Sequence, residues 1–205
     1  MKQLNYFYGL LIILLTASCA TWRTGDIDSQ FSFENHEENS LKYEILVKLV
    51  SYEYLENEKL KPNWLDSSKQ KKATSIITES YQDTGLFRLA AKNKNPNFKA
   101  KVVIRREVSF SDNMRWITPI SLYLIPRSVN EKVIVTTKYY NDKDALIGMT
   151  EFSDNLVTWH QLFMILGLPF TGTPNGQVMS TIDDLVRSSI EQALQDGYFN
   201  SFEEL

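Results

Sequence analysis

Tyr43, Ile45, Val47 and Leu49 alternate with Glu44 and Lys48, the period of two expected for a strand with one buried face. The repeat then lengthens. Ala73, Ile76, Ile77 and Tyr81 fall on one side of a 3.6-residue turn, which predicts a helix capped by Asp66, Ser67 and Ser68 and ended by Gly85. Residues 86–91 predict a short strand. The longest alternation covers residues 100–110, where Ala100, Val102, Ile104, Val108 and Phe110 share a face and Lys101, Arg105, Glu107 and Ser109 mostly occupy the other. Arg106 interrupts the apolar side. The simpler reading is a bulge or a sheet end there; the other is an arginine partly buried against a carboxylate on an adjoining strand.

Three further strands are predicted at residues 117–126, 132–140 and 145–152. Polar stretches at 127–131 and at Asn141-Asp142-Lys143-Asp144 have hairpin length, so these strands should pair antiparallel with their neighbours. Pro119 and Pro126 restrict how central the first of them can be. A last helix buries Ile182, Leu185, Val186, Ile190, Ala193 and Leu194, with Ser180 and Asp183 resembling a capping box and Gly197 as its stop. The order β-α-β-β-β-β-β-α predicts an α+β fold, a largely antiparallel sheet of about six strands with two helices on one face. The first strand-helix-strand unit can add a parallel pair by a right-handed crossover.

Ahead of this domain the pattern is different. Residues 6–15 are an apolar run behind a lone Lys2, far shorter than the roughly 20 apolar residues that cross a bilayer. Leu15-Thr16-Ala17-Ser18 then leads into Cys19, the single cysteine of the chain. This arrangement reads as an export signal. It resembles the lipobox of bacterial lipoproteins, although Thr16 stands where leucine is commonest in that family. The resemblance implies that residues 1–18 are a signal peptide removed by a type II signal peptidase, and that Cys19 carries a thioether-linked diacylglyceryl group and often an acylated amine. An odd cysteine in an exported chain cannot close an internal disulfide, and acylation explains its presence. Two or three acyl chains anchor stably without a spanning helix. By analogy with lipoprotein sorting, Ala20 rather than aspartate after the cysteine points to the outer membrane.

Residues 19–40 hold Asp26, Asp28, Glu34, Glu37 and Glu38 against Arg23, with few aliphatics, and predict a flexible acidic tether with a reach of roughly 25 Å. Residues 41–205 then form a single domain. The whole chain has 22 basic and 25 acidic side chains, net −3, and loss of Lys2 with the signal takes it to −4. Nothing in that balance suits nucleic acid, which needs a basic stripe.

Chemistry is sparse. His36 and His160 are the two histidines, and His36 falls in the expected tether. A serine-histidine-acid triad would have to use His160, and neither a Gly-x-Ser-x-Gly elbow nor a glycine-rich phosphate loop occurs. No cofactor is expected, and no metal site, because the histidines lie far apart and the cysteine is assigned to lipid. Trp159-His160-Gln161 precedes the apolar run at residues 162–170, which is too short to cross a bilayer. It reads as a segment completing the core, as a protein-docking surface, or as an element touching lipid; in the last two readings Trp159, Phe163, Met164 and Phe170 are the contact residues.

The element order also resembles the small α+β domains of envelope lipoproteins, some of them auxiliary components of transport machinery, and it carries over no functional residue. The sequence thus points to a non-enzymatic lipoprotein held in the membrane by acyl chains on Cys19, with another envelope protein as partner. A lipid-tethered hydrolase using His160, or a carrier of lipid or a small molecule, are the alternatives.

Overall fold

The computed structural model describes residues 19–25, 43–61, 67–91, 95–110, 127–160 and 174–199. In chain order the elements are β1 (Cys19–Arg23), β2 (Tyr43–Glu56), β3 (Lys59–Leu60), α1 (Ser67–Asp83), β4 (Phe87–Leu89), β5 (Phe98–Ser109), β6 (Arg127–Asn141), β7 (Leu146–His160) and α2 (Pro174–Gln195). The strands form one sheet in the order β1-β7-β6-β5-β2-β3, with β4 also beside β2. β2 runs parallel to β4 and β5, and the remaining pairs are antiparallel. This is the expected α+β fold with both helices on one face, and the first strand-helix-strand unit is parallel as its crossover length allows.

The core lies between that face and the helices. Phe98, Ala100, Val102 and Ile104 of β5 are completely buried, as are Val133, Val135 and Tyr139 of β6. Ala73, Ile77 and Tyr81 of α1 and Ile182, Leu185, Val186, Ile190 and Ala193 of α2 meet them. These are the helical stripes that the periodicity predicts. An unforeseen member is Phe199, which packs edge-on against Phe87, Phe98 and Tyr139 with ring centroids 5.0, 5.0 and 5.5 Å away. It reaches the core because Gly197 takes a left-handed φ of 71°. The Tyr198 and Gly197 amides then donate to the Ala193 and Leu194 carbonyls, closing the helix end and turning the chain inward.

β2 holds a bulge between Leu49 and Ser51, where the register against β5 shifts by one residue. The extra residue, Val50, lets Ile45 and Val47 before it and Tyr52 and Tyr54 after it face the core, although the two sets differ in parity.

Four expectations change. The stretch 127–131, expected as a turn, is the start of β6, where Ser128, Asn130 and Lys132 point outward and Glu131 occupies a core position. β7 continues to His160 rather than ending at 152, with Asp154 and Thr158 in core positions. In both strands a charged or polar residue at a buried register hides the alternation. α2 begins at Pro174, not near Ser180, because proline lacks only an amide that the first helical turn leaves unpaired anyway. Finally, Cys19–Arg23 is not the start of a tether but an edge strand, paired residue for residue with Leu156–His160. Residues 26–42, the expected strand at 117–126 and the apolar run at 162–170 lie outside the described residues. Among the described residues no helix is long and apolar enough to cross a membrane.

Candidate functional site

A buried ion pair, a partly buried cluster around Arg23 and a groove gather where β1, β5, β6 and β7 meet the β2–β3 turn. The first pair is Arg106 with Glu131, whose side chains are 5% and 10% exposed. Arg106 Nε donates to Glu131 Oε1, and its Nη1 donates to the Tyr52 hydroxyl at 3.2 Å. The guanidinium also lies 5.7 Å from the Tyr54 ring centroid. The register between β5 and β6 is unbroken through Arg106, so burial against a carboxylate, and not a bulge, explains the interruption of the apolar face. Burial works against the charge of Arg106, yet Glu131 and Tyr52 together hold its guanidinium above the ordinary value. Burial likewise raises the Tyr52 phenol, with Arg106 pulling the other way.

The second cluster fastens β1. Arg23 Nε and Nη2 reach Asp154 Oδ2 at 2.7 and 2.6 Å, and Nη1 pairs with Asp184 of α2. Asp154 is fully enclosed, and its other oxygen accepts the Asn155 amide at 2.7 Å. Two residues earlier the Thr21 and Thr158 hydroxyls meet at 2.8 Å. Gly25 makes this fit possible, since a Cβ there would lie 1.6 Å from Asp154 Oδ1.

A groove of about 860 Å³ crosses this end of the sheet. Glu58, Glu107, Glu131 and Lys132 bring charge to it, Asn57, Asn130 and Asn155 bring amides, and Leu55, Val108, Leu156 and Val157 form apolar patches. Glu131 is already engaged by Arg106, so Glu58, Glu107, Lys132 and the amides are what such a groove offers a polar partner. The β2–β3 turn that walls it holds Asn57 and Glu58 at φ of 46° and 65°, the left-handed pair that a two-residue hairpin needs.

The residues singled out from sequence fall unevenly. Cys19 is the first residue of β1, and its Cα partner across the ladder is His160. Trp159 stands opposite Ala20 on one side and Ser128 on the other. The fold thereby brings the expected anchor and the Trp159-His160 pair to one corner of the sheet. Phe163, Met164 and Phe170 lie outside the described residues. Sequence reasoning missed Arg23, Glu131, Asp154 and Asp184. The available signal was parity: Asp154 sits between Phe152 and Leu156, and Glu131 between Val129 and Val133, each at a position where the strand period calls for an inward side chain.

No protein-family model matches the chain, and no curated protein does. Among solved structures, a Xanthomonas campestris protein of the DUF330 family is similar at a TM-score of 0.46 and 8% identity, covering 87% of this chain and 96% of that one. A minor lipoprotein from Acinetobacter baumannii gives 0.38 at 12% identity, over 78% of this chain and 94% of its own. The PelC dodecamer from Paraburkholderia phytofirmans gives 0.34 at 9% identity, over 82% and 95%. These likenesses assign no residue of this chain a role.

Proposed function

We propose that this chain is an acylated lipoprotein of the cell envelope, held at the outer membrane through Cys19, whose domain binds or scaffolds another envelope component without catalysing a reaction. The observation that carries the reading is the setting of Cys19. It is the single cysteine, it follows Leu15-Thr16-Ala17-Ser18, and it opens a strand that is paired with β7 along all five of its residues. Acyl chains on that residue would therefore be joined to the sheet without slack, and the Arg23 cluster would carry any pull on the anchor into β7 and α2. The groove supports the binding half of the reading. Its volume falls within the range of small-ligand sites, but its carboxylates and amides suit a polar segment of a partner better than an apolar cargo.

Cells fed a labelled fatty acid test the anchor: wild type should incorporate label, and Cys19→Ser should not. Equal labelling of the two would end the lipoprotein reading. Mild crosslinking in cells followed by purification tests the scaffold role, for which a discrete partner adduct is expected. Recovery solely as a free lipidated monomer under all conditions would reject it.

A further inference from the structure

The helices cover one face of the sheet, and the opposite face carries a row of cations. Lys48 of β2 stands opposite Lys101 of β5, Lys101 opposite Lys138 of β6, and Lys138 opposite Met149 of β7. All four have the outward parity of their strands, and neighbouring strands are only about 4.8 Å apart. Like charges directly across a ladder are destabilising, so folding alone gives no reason for three lysines in one rung.

The nearest carboxylates are Asp144, whose carboxyl Lys99 and also Lys101 hold below its ordinary value, and Glu151, diagonal to Lys138, and neither forms an ion pair with the row. Lys99, one rung away, is taken by Asp144 at 2.8 Å, and Glu151 accepts the Thr136 hydroxyl at 2.9 Å. Lys48, Lys101 and Lys138 form no ion pair with a described residue; Lys101 instead lies 4.2 Å above the Tyr140 ring. The chain as a whole is acidic, which makes the row a local feature and not a reflection of composition. Around it the face exposes apolar side chains: Met149 is 52% exposed, Val50 53% and Leu146 57%.

We propose that this outer face is a docking surface for a bilayer rich in anionic lipid headgroups. Charge complementarity selects an anion, and the mixture selects a membrane over a soluble polyanion. Long lysine stems let the ammonium groups reach phosphates while Leu146, Met149 and Val50 press toward the acyl boundary, an arrangement that a nucleic acid or polysaccharide backbone would leave wet and unrewarded. The face is also part of the sheet whose edge strand begins at Cys19, so an anchored chain could lay it against the membrane. The surface adds to the anchored reading and does not require it.

The test measures co-sedimentation of full-length protein with vesicles of phosphatidylcholine and with vesicles of equal parts phosphatidylcholine and phosphatidylglycerol. The readout is the ratio of the two affinities, because the anchor, or the apolar leader where it is retained, contributes equally to both. A ratio of about tenfold or more is expected for wild type, and the same for full-length Cys19→Ser. The ratio should fall to near one in Lys48→Gln/Lys101→Gln/Lys138→Gln, whose melting temperature should be unchanged or higher. Lys71→Gln/Lys72→Gln, on the helical side, should keep it. A wild-type ratio near one, or a triple variant that retains the preference, overturns the proposal. So does loss of the preference on adding inorganic phosphate but not chloride at equal ionic strength, which would assign the row to free phosphate. Loss of fatty-acid labelling with the ratio intact would remove the anchor alone.

Discussion

The phenol oxygens of Tyr81 on α1 and Tyr139 on β6 lie 3.2 Å apart, completely enclosed between helix and sheet. Tyr139 also donates to the Ser189 carbonyl at 3.1 Å, and the Ser189 hydroxyl meets that of Thr150 at 2.5 Å. Four elements, α1, β6, α2 and β7, thus share one polar chain in the middle of an apolar core. Burial and the neighbouring Tyr139 push the Tyr81 phenol well above its ordinary value, and burial raises Tyr139 as well. A folded-state value above the unfolded one, which is near 10, leaves stability intact below about pH 10. As pH rises further the unfolded chain loses phenolic protons first, and stability falls. Denaturant unfolding at about pH 8 and about pH 11 should show this loss, and Tyr81→Phe/Tyr139→Phe should lessen it.

Removing one partner of the Arg106–Glu131 pair strands a charge among Tyr52, Tyr54 and Val133. Arg106→Leu or Glu131→Leu alone should cost about 3–5 kcal/mol in chemical denaturation. The double replacement removes both charges and should recover most of that loss. A double variant as unstable as the sum of the singles would mean that the two side chains contribute independently and that no orphaned charge is at work.

β1 depends on Arg23. Arg23→Ala leaves the enclosed Asp154 without its cation, at a cost of about 2–3 kcal/mol given the partial exposure of the arginine. The loss should be local: amide exchange should quicken across Thr21–Arg23 and its β7 partners while the α1 amides keep their protection. Gly25→Ala should give the same pattern, because its methyl would displace the Asp154 carboxylate.

Gly148 of β7 lies under the Tyr198 ring, where a Cβ would come within 2.2 Å of Cε2. The half-buried Tyr198 ring can swing aside, so Gly148→Ala should cost about 1 kcal/mol, the low end for overpacking. Tyr198→Ala should remove that penalty, so a thermal-unfolding cycle should show coupling between the two positions.

What the amino-acid order determined was wherever burial and periodicity agree. The inward residues of β5, the stripes of α1 and α2, the Asn141–Asp144 turn and the α+β layering all follow from apolar spacing and local turn chemistry, which act over a few residues. The reach of β6 and β7 did not follow. Glu131, Asp154 and Thr158 hold buried positions with polar side chains, and what makes them compatible with the interior is a partner far away in sequence: Arg106 for Glu131, Arg23 for Asp154, Thr21 for Thr158. The same reason hid β1, since an edge strand of five residues becomes stable only when β7 supplies its hydrogen bonds and two aspartates supply its counter-charge. The lysine row is likewise a property of register: Lys48, Lys101 and Lys138 are each an ordinary outward residue along the chain, and only the pairing of three strands sets them side by side.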